Sequence, residues 1–328
     1  MRLKLVPTET AWDFFRFTKV AIFGSSLAMI ASILLFFVVG LNFGIDFRGG
    51  TTIRTEAHSE VDVAAYRAAL QGLDLGDIMI TEVFDPSFEA DQHVAMINVQ
   101  AQEGQEAVTP ETIAAIEAEL QQVDPSITFP SVESVGPTVS GELVRTAIIA
   151  VALAITAVLI YIWLRFEWQF SLGAVAALVH DVTLTIGIFS LLQIRFDLAI
   201  IAALLTIVGY SLNDTVVVFD RVRENLRKYK KRPLGEVLNL SINETLSRTV
   251  MTSVTTLIAL ISLFVLGGDV IRGFVFAMIW GVIVGTYSSV FVASVVLLRL
   301  GVTRDWSKSD NGAGPGPGGG TQFSNVDA

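Results

Sequence analysis

The feature that most constrains this chain is a set of long, uninterrupted apolar stretches. Crossing the hydrocarbon core of a bilayer takes about 20 consecutive apolar residues in a helix. Four stretches of that length carry no charge, and two more are nearly as apolar but contain His180, Asp181 and Asp214. We therefore predict a polytopic α-helical membrane protein with six transmembrane helices, at 20–41, 143–164, 170–192, 198–220, 249–267 and 273–298.

The first of these stretches could also be a cleaved export signal. Its uncharged core is longer than the roughly 7–15 residues of such a signal, and no clear A-x-A cleavage site follows it. A retained membrane anchor is the better interpretation.

The basic residues set the orientation of the spans, because lysine and arginine concentrate on the cytoplasmic side. The segments 1–19, 221–248 and 299–328, together with the connection that contains Arg165, hold 16 of the 22 basic residues. This distribution predicts that both termini are cytoplasmic and that residues 42–141 are extracytoplasmic.

The extracytoplasmic segment 42–141 has the character of a soluble domain, with three arginines and seventeen acidic residues. Its periodicity reads strand, helix, strand, strand, helix, strand, the order of a ferredoxin-like α+β unit. Thr109 is a suitable N-cap for the second helix, with Pro110 at the first helical position. The acidity indicates a soluble surface and disfavours binding of nucleic acid.

Two cytoplasmic segments have a recognisable composition. Within 221–248, residues 233–247 place five apolar side chains on one helical stripe, which predicts an amphipathic helix that either lies on the membrane surface or packs against the bundle. The tail at 299–328 is rich in glycine and proline, and we expect it to be disordered. The chain has no cysteine, which excludes disulfides and thiolate metal sites.

Ionisable residues inside the spans are costly, about 2.5–3.5 kcal/mol each on insertion scales, so they mark candidate sites. Asp181 lies near the middle of span three and Asp214 in the cytoplasmic half of span four, while Arg248 stands at the entrance of span five. We expect spans three, four and five to turn these residues towards one another, as a proton pathway or as a structural ion pair of Asp214 with Arg248. His180 is either a relay or a satisfied structural histidine.

Polar side chains accompany these groups at helical spacing. They predict a polar row on span four that points into the bundle and a second row on span five. The supporting residues are Thr206, Tyr210, Asn213, Thr249, Thr252 and Thr256.

Span six has a face of small residues, including Gly281, Gly285 and Ser289, that permits close helix packing. We therefore expect spans one, two and six to act mainly as scaffold. No hydrolase motif occurs, and a membrane aspartyl protease built on Asp181 and Asp214 fits poorly because neither acid directly follows a glycine. The chain is predicted not to be an enzyme.

Several strings resemble those of a known family. Asn-Phe-Gly-Ile-Asp-Phe-Arg-Gly-Gly at 42–50, with Gly44, Asp46, Gly49 and Gly50, resembles the head motif of the SecD/SecF family, which belongs to the RND transporter superfamily. The segments 135–143, 209–221, 247–249 and 285–289 are similar to the motifs of that family's second, fourth, fifth and sixth helices.

The resemblance implies half of an RND-type bundle in the bacterial inner membrane. It implies pairing with SecD, association with the SecYEG channel, and use of the proton gradient to help pull unfolded chains across, with protons as coupling ion and no cofactor. Asp214 and Arg248 match the positions implicated in coupling. Alternatives are a non-coupling subunit that stabilises the complex, and a half-size exporter of small molecules.

Overall fold

A computed structural model describes residues 10–302 except 77, 84, 86–87, 90 and 102–107. The predicted disordered tail at 299–328 lies outside the described residues from residue 303 onward, as do residues 1–9 of the predicted N-terminal segment. The helices are α1 (Thr18–Val38), α2 (Ile45–Arg48), α3 (Val63–Leu70), α4 (Pro110–Val123), α5 (Pro137–Arg165), α6 (Trp168–Leu192), α7 (Leu198–Lys228), α8 (Leu234–Leu266), α9 (Gly268–Ser288) and α10 (Ser294–Leu300). The strands are β1 (Gly50–Ala57), β2 (Ile78–Val83), β3 (His93–Gln100) and β4 (Thr128–Val135).

Six helical stretches in the described part of the chain are long and apolar enough to cross a membrane, which confirms the six-span prediction. They are Phe14–Val38, Pro137–Arg165, Trp168–Leu192, Leu198–Lys228, Leu234–Leu266 and Val270–Leu300. The sixth joins α9 to α10 through one turn of π-helix at Ser289–Ala293. Helices α6, α7 and α9 are the most buried, because each packs on the other two, and α1 packs on α6 and α8 on α7 and α9.

Two of these helices extend furthest beyond the predicted spans. Helix α7 continues eight residues past the predicted end of span four at residue 220, as far as Lys228. The amphipathic segment 233–247 and span five form one unbroken helix, α8, whose apolar stripe of Val237, Leu238 and Ile242 is buried in the bundle core. Packing against the bundle therefore accounts for that stripe.

The ferredoxin-like domain is confirmed between α1 and α5. Its strands form one antiparallel sheet in the order β2-β3-β1-β4, with β1 in a central position. Helices α3 and α4 cover one face of the sheet and bury Ile53, Ile97, Ile116 and Leu120 between the layers. Helix α4 starts as predicted: the Thr109 side chain accepts from the Thr112 amide and Pro110 opens the helix. We call residues 50–135 the sheet domain.

Candidate functional site

Asp181 lies near the middle of α6 with 1% of its surface exposed. Its Oδ2 accepts hydrogen bonds from the hydroxyl of Ser211 in α7 at 2.6 Å and from the hydroxyl of Ser288 in α9 at 2.8 Å. Because an unpaired polar group in the membrane interior costs several kcal/mol, these contacts bind three helices together. We call Asp181, Ser211 and Ser288 the Asp181 hub.

The hub corrects the expected roles of the spans. Spans three, four and five were expected to turn Asp181, Asp214 and Arg248 towards one another, but the hydroxyls that reach Asp181 come from α7 and α9. Span six was expected to act mainly as scaffold, and it also supplies Ser288. The reason is the small-residue face of α9, which lets α7 approach so closely that a Cβ on Gly285 would lie 3.1 Å from the Cβ of Ser211.

His180 contacts its sequence neighbour, although adjacent helical residues need not touch. Its Nδ1 lies 2.9 Å from Oδ1 of Asp181, and the imidazole has 1% exposure. On the other side its ring faces Tyr287, with ring centroids 5.9 Å apart. Among the described residues its Nε2 has no hydrogen-bond partner. The geometry therefore joins His180 to the Asp181 hub and leaves one ring nitrogen available.

Asp214 is a second buried acid, 2% exposed, and its Oδ2 has no hydrogen-bond partner in the described part of the chain. Arg248 in α8 is the charged group that acts on it electrostatically. Arg248 is itself exposed at the surface of the bundle, and among the described residues no ion pair within 4.0 Å joins the two. Asp214 is thus a buried carboxyl group with one oxygen that has no hydrogen-bond partner among the described residues.

The polar row predicted on span four, Thr206, Tyr210, Asn213 and Asp214, faces this chain's own bundle only in part, because Asp214 alone is fully buried. Thr206 and Asn213 are exposed, and Tyr210 is half-buried with an unpartnered hydroxyl. The opposite face of α7 carries apolar residues that pack on α6 and α9, so it takes the interior position. The Thr206 hydroxyl donates instead to the carbonyl oxygen of Ala202 at 2.8 Å, one turn earlier.

The row on span five divides in the same way. Thr249 is buried, whereas Thr252 is exposed and Thr256 is half-buried. Both of the latter hydroxyls donate to backbone carbonyls of their own helix, at 2.8 and 2.9 Å. We define the outer polar face as Thr206, Asn213, Arg248 and Thr252, four exposed polar residues on α7 and α8.

The small residues of span six lie against α7 and against the core. A Cβ on Gly281 would collide with the Ile207 side chain, and Ser289 is fully buried at the start of the π-helical turn. Helix α6 packs closely on this turn, since a Cβ on Gly173 would come within 2.9 Å of the carbonyl oxygen of Ala293. π-Helical turns are often found at functional sites, and this one directly follows the hub residue Ser288.

The head motif connects the sheet domain to the α6–α7 connection. The Gly44 amide donates to the carbonyl oxygen of Phe196 at 2.9 Å, and the Phe196 amide donates to that of Asn42 at 2.7 Å. Oδ2 of Asp46 accepts from the amide of Leu198, the first residue of α7, at 3.1 Å. Gly49 and Gly50 have φ of 72° and 135°, values that favour glycine.

Sequence reasoning missed a contact between the N-terminal segment and α8. Asn243 pairs with the backbone of Trp12 in both directions, accepting from its amide at 2.9 Å and donating to its carbonyl at 2.8 Å. One turn earlier, Asn239 donates to the same carbonyl at 2.9 Å and accepts from the Phe14 amide at 3.0 Å. We call Asn239 and Asn243 the amide clip. The sequence did offer a signal for this contact: two asparagines stand four residues apart on the helix that carries the apolar stripe.

The described ranges contain no group of three or more histidine, aspartate or glutamate side chains placed to hold a metal ion. Both oxygens of Asp181 have partners within the bundle: Ser211 and Ser288 at Oδ2, and His180 at Oδ1.

Comparison with known proteins identifies the family to which this chain belongs. The family model described as protein export membrane protein SecD/SecF, C-terminal, matches residues 115–303, and the model of the SecD/SecF GG motif matches residues 34–61. The chain belongs to the SecD/SecF family. The GG-motif match contains the head motif, and the C-terminal match contains Asp181, Asp214 and Arg248.

Relatives of similar length exist in this family. The protein translocase subunit SecF of Cereibacter sphaeroides is 64% identical over 327 residues, covering 100% of this chain and 99% of that one. The protein of the same name from Rhodobacter capsulatus is 60% identical over 316 residues, covering 94% and 95%.

Two solved SecDF structures share the fold. The crystal structure of SecDF, a translocon-associated membrane protein from Thermus, has a TM-score of 0.81 at 34% identity and covers 92% of this chain. A second SecDF structure, in a form called super-membrane-facing, has a TM-score of 0.64 at 36% identity and covers 91%. The chain spans only 40% of each of those longer SecDF chains.

Proposed function

We propose that this chain is the SecF subunit of the Sec protein translocase, a transport subunit with no catalytic role. Its similarity to proteins named SecF extends over the full chain, and its fold corresponds to about two fifths of SecDF. SecD would then supply the remaining part of the SecDF architecture. Association with SecYEG, with exported unfolded chains and with lipid is part of the same proposal.

The outer polar face supports pairing with SecD. Asn213 and Arg248 are exposed within the helical part of the chain, where contact with lipid tails would be costly. A second set of helices placed against α7 and α8 would remove that cost and supply hydrogen-bond partners. The proposal therefore assigns the outer polar face to the SecD interface.

We assign proton coupling to Asp214, with Arg248 as its charge partner. The supporting observation is the buried Oδ2 of Asp214, which lacks a hydrogen-bond partner among the described residues, at the edge of the outer polar face. A buried carboxyl group favours its neutral form, while a nearby arginine favours the charged form. Movement of α7 relative to α8 would alter that balance and allow a proton to be loaded and released.

The proposed location is the bacterial inner membrane with both termini in the cytoplasm. The distribution of basic residues supports this orientation. The sheet domain then faces the periplasm, and the amide clip lies in the cytoplasm. A potential of 100 mV supplies about 2.3 kcal/mol for each proton that crosses, enough to bias a conformational cycle.

Substituting Asp214→Asn tests the coupling role. It keeps the size of the side chain and removes its titration, so export driven by the proton gradient should be lost while assembly with SecD persists. The control is Asp220→Asn, on the same helix but exposed and paired with Arg165 at 2.9 Å, which should export normally.

The second candidate function is a stabilising subunit without coupling. The Asp181 hub and the amide clip favour it, because both are well-bonded structural contacts. Under that function, Asp214→Asn and Asp220→Asn would export equally well, and only loss of assembly with SecD would impair export.

A further inference from the structure

The sheet domain has two covalent connections to the bundle, and neither leads to the helix of Asp214. Its first strand follows α1 through the head motif, and β4 runs into α5 through Gly136. Helix α7 starts at Leu198, about 150 residues further along the chain than Asp46. Any direct mechanical link between α7 and the sheet domain must therefore be non-covalent, because the chain joins them only through α5 and α6.

The head motif supplies that link. The parallel bridge between Phe43 and Phe196 holds the motif beside the residues that lead into α7. Asp46, which is remote in sequence, accepts from the first amide of α7. Asp197, the residue before the helix, accepts from the Ile200 amide at 3.2 Å. Two carboxylates thus fix the first turn of this helix, and one of them belongs to the head motif.

The aromatic side chains around these bonds make the link stiff. The rings of Phe43, Phe47 and Phe196 lie with their centroids 5.6–5.9 Å apart, and Phe189 of α6 completes the group at 6.0 Å from Phe196. Packed aromatic pairs of this kind contribute about 0.5–1.5 kcal/mol each beyond their burial.

The link continues directly into the sheet. Only Phe47, Arg48 and Gly49 separate Asp46 from Gly50, where β1 begins. Gly50 has φ of 135°, and a Cβ there would collide with the carbonyl oxygen of Val99 in the neighbouring strand β3. The motif therefore enters the centre of the sheet at a position where the backbone packs too closely on β3 for any side chain.

We propose that the head motif is the mechanical joint that transmits movement of α7 to the sheet domain, with Asp46 as its positioning residue. The proposal rests on the proposed function for its biological consequence, because α7 carries Asp214. The joint itself consists of the contacts that the head motif makes with α7 and β1. The stability of these contacts can be measured without a proton gradient.

Hydrogen exchange measures the joint directly in the purified chain. Asp46→Ala should speed exchange about tenfold, both at the start of α7 and at Gly50–Thr52 of β1, since about 1.4 kcal/mol corresponds to a factor of ten. Asp46→Asn keeps an acceptor oxygen and should restore both regions. Asp197→Ala should affect α7 alone. Faster exchange in α7 with unchanged β1 in Asp46→Ala would overturn the joint.

Transmission is measured with pairs of spin labels, which the absence of native cysteine makes practical. The pair Ala118→Cys and Tyr161→Cys reports the sheet domain against α5. The pair Lys228→Cys and Tyr161→Cys reports the far end of α7. The chain is reconstituted with SecD in liposomes, and the distances are compared before and after a proton gradient is imposed.

Both distances should change in the otherwise unaltered chain. In Asp46→Ala the α7 distance should still respond, while the response of the sheet domain should be lost. An undiminished response of the sheet domain would overturn transmission through the joint and favour another contact between domain and bundle, such as the one where Asp85 lies close to Gly268.

Two further variants separate the possible failures. Gly50→Ala should act like Asp46→Ala, whereas Gly72→Ala, with open space around its Cβ position, should be silent. If neither distance responds in the unaltered chain, coupling by Asp214 is wrong, and the exchange experiment still decides whether the joint exists.

Discussion

The Asp181 hub yields the most specific energetic prediction, because two hydroxyls converge on one carboxylate oxygen. Ser211→Ala and Ser288→Ala each remove one donor and leave the other in place. Hydrogen bonds between membrane helices average about 0.6 kcal/mol, with a maximum near 1.7 kcal/mol. We expect each single substitution to cost about 0.6 kcal/mol.

The double substitution should cost more than the sum of the two. With both donors removed, Oδ2 of Asp181 becomes a buried acceptor without these partners, and such a group costs about 1–3 kcal/mol. We therefore expect Ser211→Ala with Ser288→Ala to cost about 2 kcal/mol, roughly 1 kcal/mol beyond additivity.

The assay is reversible unfolding of the purified chain by titration of SDS into mild detergent micelles, with helix content as the signal. The control is Ser262→Ala in α8, an exposed serine whose hydroxyl donates to the carbonyl oxygen of Ile258 in its own helix at 2.8 Å. An additive double variant, or single variants as inert as the control, would show that the hub does not hold α6, α7 and α9 together.

Three further predictions concern other contacts. Gly281→Ala should lower the free energy of unfolding by about 1–3 kcal/mol through overpacking, and adding Ile207→Ala to that variant should recover part of the loss. SDS titration measures both variants, and an equal loss with and without Ile207→Ala would contradict the contact between Gly281 and Ile207. Asn243→Ala should free the segment around Trp12, seen as faster proteolysis there, and an unchanged cleavage rate would refute the amide clip. Hydrogen bonds from Ser59 and Ser126 lower the pKa of Asp124 to about 2. A lowered folded pKa means that its stabilising effect is full above about pH 4 and is lost as the pH falls through about 2. The unfolding temperature of Asp124→Asn should thus be lower than that of the parent above pH 4, and the two should converge as the pH falls towards 2. A difference in unfolding temperature that does not change with pH would contradict the lowered pKa of Asp124.

The spans and the sheet domain could be predicted because their signals are local. Hydropathy over 20 residues needs no knowledge of neighbours, and the strand and helix periods of the domain repeat within a few residues. The start of span five was harder to place. No proline or glycine interrupts 236–266, which indicates one helix, but the charge of Arg248 suggested a boundary there.

The rotation of each helix could not be predicted in the same way. Polarity marked Thr206 and Asn213 as functional, but whether a polar row faces the chain's own core or another subunit depends on which opposite face packs better. Ser211 and Ser288 lie in segments that resemble family motifs, but only the close approach of α7 and α9 brings both hydroxyls to Asp181. The role of Asp46 as a cap likewise depends on residues about 150 positions apart.

The central claim is that Asp214 carries the coupling proton, and proton flux tests it most directly. The chain is reconstituted with SecD in liposomes that contain a pH-sensitive dye, and a proton gradient is imposed. We predict gradient-dependent proton uptake by the parent and by Asp220→Asn, and none above the level of empty liposomes for Asp214→Asn. Uptake by Asp214→Asn at the parent rate would contradict the claim.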